Sequence, residues 1–486
     1  MTEHADPHHA RRWLILAVLG LAQLMVVLDA TIVNIALPSA QKALEFSNDN
    51  RQWIVTAYAL AFGSLLLLGG RIGDLFGRKW VFIVGLGGFA IASALGGTAQ
   101  SFGVLVIARA LQGAFGALLA PAALSLLTTT FTEPEERNKA FGVFGALAGS
   151  GAAVGLLLGG ILTEYLSWRW CLYVNLAFAG VAIAGAATLL TNQPQHDKPR
   201  LDIPGTLTAS AGLFALVYGF SHAATSSWSN ATTIGFLAAG VVLLAVFVVL
   251  QRRVAHPLLP LRIVLDRDRG ASYLAVGLSG IAIFGVFLFL TYYLQQNLGF
   301  SPIESGLAFL PMTFAIMISA TTSQTQLLPR VGARPLIGSG MVLGCIGMIY
   351  LTGIAPHSSY ASHVLPALLI MGVGFGLIFA PAMSIATLGV EPHDAGVASA
   401  MVNTMQQIGG SIGTALLSTL AASASTSYLQ TRRPSADVVA QAAVHGYTTA
   451  FWWSAAIFAI AAVVCTALLR PGVQAPAPAG EPVFAH

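Results

Sequence analysis

The chain has 486 residues, of which 56% are hydrophobic and only 9% are charged, whereas a typical soluble domain carries about 25% charged residues. So few charges cannot cover a water-exposed surface, which excludes a soluble enzyme, a disordered chain and a nucleic-acid-binding protein. The formal net charge is +4, so the isoelectric point near 9.0 reflects a scarcity of ionisable groups and not a basic patch.

Long apolar segments predict that the chain crosses a membrane many times, because a span needs about 20 mostly apolar residues. The segment 203–251 lacks Asp, Glu, Lys and Arg and has a polar turn at 221–232, so it predicts two helices. We therefore predict an all-α polytopic membrane protein with fourteen spans. These spans are 13–37, 52–70, 80–99, 103–129, 140–162, 170–190, 204–222, 232–250, 271–295, 305–327, 335–354, 363–388, 396–422 and 447–469.

The distribution of basic residues predicts the orientation of these spans. With the N-terminus in the cytoplasm, 17 of the 23 Lys and Arg residues fall on the inner side, 5 fall on the outer side and Arg109 lies within a span. Because Lys and Arg concentrate in cytoplasmic loops, this asymmetry favours fourteen spans with both termini cytoplasmic. The first apolar run, Trp13 to Leu37, is too long for the core of a cleaved signal peptide.

An internal repeat divides the chain. APAALSLL (120–127) matches APAMSIAT (380–387) at an offset of 260, which predicts two pseudo-symmetric halves of six helices with substrate bound between them. Two extra helices then lie in the centre. The predicted organisation is a cytoplasmic tail 1–12, a first half 13–190, a linker 191–203, the extra pair 204–250, a basic cytoplasmic linker 251–269, a second half 270–470 and a disordered tail 471–486.

Two charged residues lie within the predicted spans. Asp29 is the one acid well inside a span, about 24 Å along the helix from Trp13. Burial disfavours its charge and a nearby cation favours it, so the sequence predicts a proton-loading site; a fixed ion pair or a cap is the structural alternative. Arg109 is the one base inside a span and has Gln112 on its face, which suits a partner of the proton site or a clamp between helices.

Glycines mark two further features. The run GGRIGDLFGRKW (69–80) puts one acid and three bases in a tight loop, and we predict a gating latch there; anchoring by positive charge alone is the alternative. The fifth span carries small residues at four-residue spacing, which predicts a close helix contact, static or sliding. The gating residues are Gly70, Asp74, Gly77, Arg78 and Lys79, and the packing residues are Gly151, Gly155, Gly159 and Gly160.

These motifs resemble the major facilitator superfamily and, within it, the fourteen-helix drug:proton antiporters, over nearly the whole chain. The resemblance implies that Asp29 and Arg109 serve proton coupling. The motifs are LDATIVNIALP (28–38), QWIVTAYAL (52–60), GGRIGDLFGRKW (69–80), RALQGAFGALLAPA (109–122) and SWRWCLYVN (167–175). Three positions depart from the family pattern: Leu156 replaces a proline, Gln406 replaces a frequent arginine, and Pro329 stands where the first half has Asp74.

The resemblance implies proton-driven export of amphipathic drugs or toxic compounds across the cell membrane by a monomer in the lipid bilayer. With one acid in the spans, neutral and monocationic substrates are expected and dications are disfavoured. We expect no enzymatic activity, cofactor, metal or nucleic-acid partner. A dedicated exporter of one self-made antibiotic, a membrane sensor and a passive channel are the alternatives. The expected cavity residues are Asn34, Tyr58, Gln112, Asn403 and Gln407.

Overall fold

A computed structural model describes residues 11–47, 50–131, 133–191, 202–254, 257–388, 390, 395–433 and 435–472. Most of the two predicted tails and of the linker 191–203 lies outside this part of the chain. Within it, all regular secondary structure is helical. This agrees with the all-α, polytopic prediction.

The described residues form fourteen long helices, three of which include a π-helical turn. The helices are α1 Arg12–Leu44, α2 Gln52–Phe76, α3 Arg78–Gly97, α4 Phe102–Thr130, α5 Pro134–Tyr165, α6 Trp170–Leu189, α7 Ile203–Thr225, α8 Ala231–Arg253, α9 Arg267–Tyr292 continued by Tyr293–Asn297, α10 Pro302–Thr322 continued by Ser323–Leu327 and Leu328–Val331, α11 Ala333–Leu351, α12 Leu365–Thr387 preceded by Tyr360–Val364, α13 Ala395–Gln430, and α14 Ala436–Leu468. A short helix, Leu261–Val264, precedes α9.

Twelve of these helices are, over the described residues, long and apolar enough to cross a membrane. The other two, α2 and α5, have shorter described apolar stretches, Gln52–Leu66 and Gly151–Tyr165. Each of the fourteen predicted segments coincides with a helix, but several helices are longer than predicted. Thus α1 continues through Pro38 to Leu44, and α14 begins at Ala436 and not at 447. Hydropathy marks only the apolar part of a helix, whereas backbone hydrogen bonding continues into polar residues.

Local sequence explains several helix ends. Asp202 and Ser301 cap α7 and α10, and Ser301 forms a reciprocal capping box with Glu304. Gly77 connects α2 to α3 with φ at 91°, a backbone conformation that favours glycine. The charge-free segment 203–251 forms two helices, α7 and α8, as predicted. The turn between them is Ser226–Asn230.

The helices pack around two large clusters of buried apolar side chains. One cluster is built from α1 to α6, and the other is built mainly from α9 to α14 with contributions from the earlier helices. The pair α7 and α8 packs beside α2 and α13, where Thr419 Oγ1 donates to the Phe220 carbonyl at 3.0 Å. We call the end of the bundle where α1 ends at Leu44 and α2 begins at Gln52 the loop-1 end.

Candidate functional site

A buried polar cluster lies among α1, α3, α4 and α6. Asp29 and Gln112 have no exposed surface, and Arg109 is 1% exposed. Arg109 Nη1 donates to Asp29 Oδ2 at 2.6 Å, which makes a buried ion pair between α1 and α4. The structural alternative for Asp29, an ion pair, is therefore the state that the structure holds. Such a pair keeps each charge compensated in an apolar interior.

Amide and hydroxyl groups complete the surroundings of the carboxylate. Asp29 Oδ1 accepts hydrogen bonds from Gln112 Nε2 at 2.9 Å and from Asn175 Nδ2 at 2.7 Å. Ser93 Oγ accepts from the same two amides, at 2.8 Å and 3.3 Å. An ionised carboxylate only accepts hydrogen bonds, and the three groups that contact the Asp29 oxygens are all donors.

Arg109 is held by more than its counter-ion. Its Nε donates to the Ile54 carbonyl at 3.1 Å, and its Nη1 also donates to Gln112 Oε1 at 2.9 Å. The guanidinium carbon lies 4.4 Å from the ring centre of Tyr58, a cation–π distance. The cluster thus ties α2 to α1 and α4 through one arginine. If Asp29 gained a proton, this arginine would lose its counter-charge and the cluster would have to rearrange.

Ser93 and Asn175 were not predicted from the sequence, although each is an isolated polar residue in an apolar helix. Asn175 is the one amide in α6, and Ser93 is the one hydroxyl residue within α3. An isolated polar residue in an apolar span needs a polar partner. What the sequence lacks is the pairing, because α3 and α6 meet Asp29 only in the packed bundle.

The residues predicted to line a cavity divide into two groups. Tyr58 and Gln112 belong to the buried cluster around Asp29. Asn34 is also buried, and its Nδ2 donates to the Ala30 carbonyl of its own helix at 3.1 Å. Asn403 and Gln407 are half-buried on α13, where Gln407 packs against Gly63 of α2. A common role of these five residues in one cavity stays a prediction.

The predicted gating loop is a one-residue connection. Gly77 separates α2 from α3, and Lys79 Nζ donates to the carbonyls of Ala187 and Leu190 at 2.9 and 2.6 Å. Lys79 thus caps the end of α6, where a cation compensates unpaired carbonyls. A β-carbon on Gly70 would meet only the Pro121 side chain, at 3.6 Å. Arg78 begins α3, and the Asp74 side chain lies outside the described atoms.

The predicted packing glycines of α5 face two different helices. β-Carbons on Gly151 and Gly159 would lie 3.1 and 2.9 Å from side-chain atoms of α1, and one on Gly155 would overlap a side chain of that same helix. The fourth, Gly160, faces α10, where a β-carbon would lie 2.7 Å from the Ile303 Cα. The absent side chains therefore permit close approach at both contacts.

Two further acids are buried at helix ends and hold structure together. Asp202 accepts from the backbone of Gly205 at 2.8 Å and from Gln251 Nε2 at 2.5 Å, which joins α7 to α8. Asp268 accepts from the backbone of Arg470 at 2.8 Å. The position of both at helix ends agrees with the sequence pattern, but their burial depends on contacts that the pattern does not show.

Comparisons with known proteins agree with this architecture. Residues 19–414 match the family model described as Major Facilitator Superfamily. The chain is similar to a solved auto inhibited POT family peptide transporter, with a TM-score of 0.69 at 16% identity, covering 96% of this chain and 98% of that one. At that identity the likeness concerns the fold.

Two curated relatives cover most of the chain. The puromycin resistance protein pur8 of Streptomyces alboniger is 49% identical over 467 residues, which are 96% of this chain and 93% of that protein. The cephamycin export protein CmcT of Amycolatopsis lactamdurans is 38% identical over 405 residues, 83% of each chain. With its many apolar helices, the protein is a multi-pass protein of the cell membrane. The chain therefore belongs to the Major Facilitator Superfamily.

Proposed function

We propose that this protein is a proton-coupled antiporter that exports amphipathic organic compounds, antibiotics among them, from the cytoplasm. The observation that carries the proposal is the buried ion pair of Asp29 with Arg109 at 2.6 Å. An ionisable pair inside a membrane bundle is expensive and is by default functional. The names of the two similar proteins, for puromycin resistance and cephamycin export, support the direction and the kind of substrate.

The proposal includes the fourteen-span drug:proton antiporter architecture. The first half is 13–190, the second half is 270–470, the extra pair is 204–250, and both termini are cytoplasmic. The fourteen long helices and the concentration of Lys and Arg at one end of the bundle support this arrangement. The loop-1 end then faces outward. We expect a monomer to be the transporting unit.

Coupling requires that Asp29 bind its proton with different affinity in the two conformations. In the state described here the Asp29 carboxylate accepts hydrogen bonds from three donors. Opening the loop-1 end exposes Asp29 to outside protons, and the protonated state releases Arg109 to a new partner. The loop of Gly70, Asp74, Gly77, Arg78 and Lys79 steadies one state. The available drive is about 2.3 kcal/mol per charge per 100 mV and about 1.36 kcal/mol per pH unit.

One membrane acid limits the charge of the substrate. Asp29 is already paired with Arg109, so a cationic substrate has at most one carboxylate to use in the cavity. We therefore expect neutral and monocationic aromatics to be exported, and dications to be poor substrates. Efflux of matched monocationic and dicationic dyes from vesicles tests this. Equal rates for both dyes would contradict the single-counter-charge limit.

A dedicated exporter of one antibiotic is the second candidate. Both relatives described above are named for a single antibiotic, which favours a narrow substrate range. Resistance profiles of cells expressing the protein separate the candidates. Protection against many unrelated amphipathic compounds supports the broad exporter, and protection against one structural class supports the narrow one.

The central experiment is dye efflux in vesicles with an imposed pH gradient, comparing wild type with Asp29→Asn. Asparagine keeps the shape of the side chain but cannot exchange a proton. Asp202→Asn is the matched control, because it makes the same change at a buried acid that joins α7 to α8. We expect gradient-driven efflux to be lost in the first variant and kept in the second. Undiminished uphill efflux by Asp29→Asn would overturn the proposal.

A further inference from the structure

A second buried arginine lies at the loop-1 end, where the sequence places it in a loop outside the spans. Arg51 precedes the first residue of α2 and is 7% exposed. Its guanidinium carbon lies 4.1 Å from the ring centre of Tyr292, 5.7 Å from that of Tyr447 and 5.8 Å from that of Phe289. Three aromatic rings therefore surround one cation. We call Phe289, Tyr292 and Tyr447 the ring cage.

The ring cage belongs to the last six helices and is built without Arg51. Phe289 and Tyr292 lie on α9 and Tyr447 lies on α14; Phe289 and Tyr292 have no exposed surface. The Phe289 and Tyr447 ring centres are 5.8 Å apart, which is normal aromatic packing. The cage is thus a packed part of α9 and α14, whereas its cation comes from α2.

The contacts described for Arg51 are with the side chains of the ring cage, of which Tyr292 is the nearest. A cation at the N-terminus of a helix is opposed by the helix dipole. Its Nε has no hydrogen-bond partner, and no ion pair with a carboxylate is found for it, within the described part of the chain. The rings are its main compensation for burial. A separation of α2 from α9 and α14 would therefore remove Arg51 and leave the cage without its cation.

We propose that the ring cage is a binding site for the cationic group of an organic monocation, and that Arg51 competes with this group. The inference rests on the proposed export function, because release toward the loop-1 end requires the first and last six helices to part there. The substrate's ammonium group occupies the rings while that end is open. On closure the guanidinium returns at high effective concentration, since it is tethered to α2, and expels the substrate cation.

The chemistry of the rings selects the ligand class. Aromatic faces attract organic cations, and desolvation strengthens this attraction. A neutral compound gains nothing from the ring quadrupoles. A single cage also accommodates one cationic group, so the second charge of a dication finds no partner there. Monocationic aromatic amines are therefore the ligands that this site fits.

The test uses two dyes of nearly the same shape, a cationic N-methylstyrylpyridinium and its neutral styrylpyridine parent. Equilibrium binding to the purified full-length protein is followed by fluorescence. Tyr292→Leu keeps apolar volume but removes a ring, and we expect it to weaken binding of the cationic dye by about 2- to 30-fold, the range for one cation–π contact. Tyr292→Phe keeps the ring and is expected to bind like wild type.

Arg51→Gln gives the opposite and more specific expectation. Removing the competitor should tighten binding of the cationic dye, and combining Arg51→Gln with Tyr292→Leu should cancel the gain. Arg432→Gln is the matched control. Arg432 is exposed, and its guanidinium carbon lies 3.5 Å from the ring centre of Tyr428, four residues earlier in the chain. That control makes the same charge change near the loop-1 end and should leave binding unchanged.

The neutral dye separates a cation site from a simple closure contact. If Tyr292→Leu weakens both dyes equally, or changes neither, the cation site is wrong. If Arg51→Gln fails to tighten binding of the cationic dye, the competition is wrong. Binding does not depend on a pH gradient, so these outcomes stand even if Asp29→Asn vesicles show that transport is not proton-coupled.

Discussion

Asn175 Nδ2 donates a hydrogen bond to Asp29 Oδ1 over 2.7 Å, although 146 residues separate the two in the chain. This contact places α6 beside the acid of α1 and makes Asn175 one of three donors to the carboxylate. Its own Oδ1 is buried without a hydrogen-bond partner among the described residues. Asn175 is therefore held in the cluster by its amide donor, which Asp29 and Ser93 share.

Replacing Asn175 with leucine should destabilise the protein and weaken export. A lost hydrogen bond to a buried charged group costs about 1–3 kcal/mol of unfolding free energy. Asn34→Leu is the matched control for the stability measurement, because Asn34 is also buried but bonds only to the backbone of its own helix. Thermal unfolding in detergent measures the stability, and dye efflux measures the export. Equal destabilisation by both variants would contradict a special role for Asn175.

The Asp29–Arg109 pair should show strong coupling in a double-mutant cycle. Arg109→Gln leaves the carboxylate buried without its counter-charge, and breaking a buried pair in this way costs about 3–5 kcal/mol. The double variant Asp29→Asn with Arg109→Gln removes both charges and should regain most of that stability. It should not regain gradient-driven efflux. Additive losses in unfolding free energy would show that the two charges do not depend on each other.

The buried acid Asp202 should prove structural. Asp202→Ala removes the cap of α7 and the bond to Gln251, and the loss of a cap costs about 0.5–2 kcal/mol. We expect a lower unfolding temperature and an unchanged dependence of efflux on the pH gradient, per folded molecule. A change in that dependence would mean that burial and pairing alone fail to distinguish structural acids from coupling acids.

Gly160 should control how tightly the loop-1 end closes. A β-carbon there would lie 2.7 Å from the Ile303 Cα and 2.8 Å from the Pro302 carbonyl oxygen, so Gly160→Ala pushes α5 from α10. Overpacking of this kind costs about 1–3 kcal/mol, which should favour the conformation open at that end. A β-carbon on Gly180 would meet no described atom within 4 Å, so Gly180→Ala is the control.

The measurement is the alkylation rate of a cysteine placed at Gln295 in a cysteine-free background. Gln295 bridges the same end, since its Nε2 donates to the Ile35 carbonyl at 3.1 Å. Gly160→Ala should raise the alkylation rate relative to Gly180→Ala. An equal rate in the two variants would show that this contact does not hold the end closed.

Much of the helical architecture was predictable, because it depends on local composition. Apolar runs of span length locate every long helix, and the polar turn at 221–232 separates α7 from α8 correctly. Helix ends were less predictable. For example, α1 continues past Pro38, because the loss of one N–H donor leaves the other backbone hydrogen bonds of a long helix in place. The loop at Gly77 was also readable, because a sharp connection there requires glycine.

The sequence predicted only part of the candidate site. The sequence singles out Asp29 and Arg109 because charged residues are rare inside apolar spans. Such a residue can be recognised from its own segment, without knowledge of the packing. It cannot supply their partners Ser93 and Asn175, since these residues look ordinary until α3 and α6 pack against α1. From the sequence alone, Arg51 is assigned to an outer loop. Its burial could not be predicted, because it depends on rings contributed by α9 and α14.

The amino-acid sequence by itself determined that this is a helical membrane protein with one acid and one base deep in its spans. In lipid each span must be apolar and must form its backbone hydrogen bonds within its own helix, so the segment alone reveals it. Only the tertiary structure decided which polar groups meet: Asp29 with Arg109, Gln112 and Asn175, and Arg51 with the ring cage. Hydropathy acts on each segment separately, whereas hydrogen bonds and cation–π contacts depend on distances of a few ångströms between distant segments.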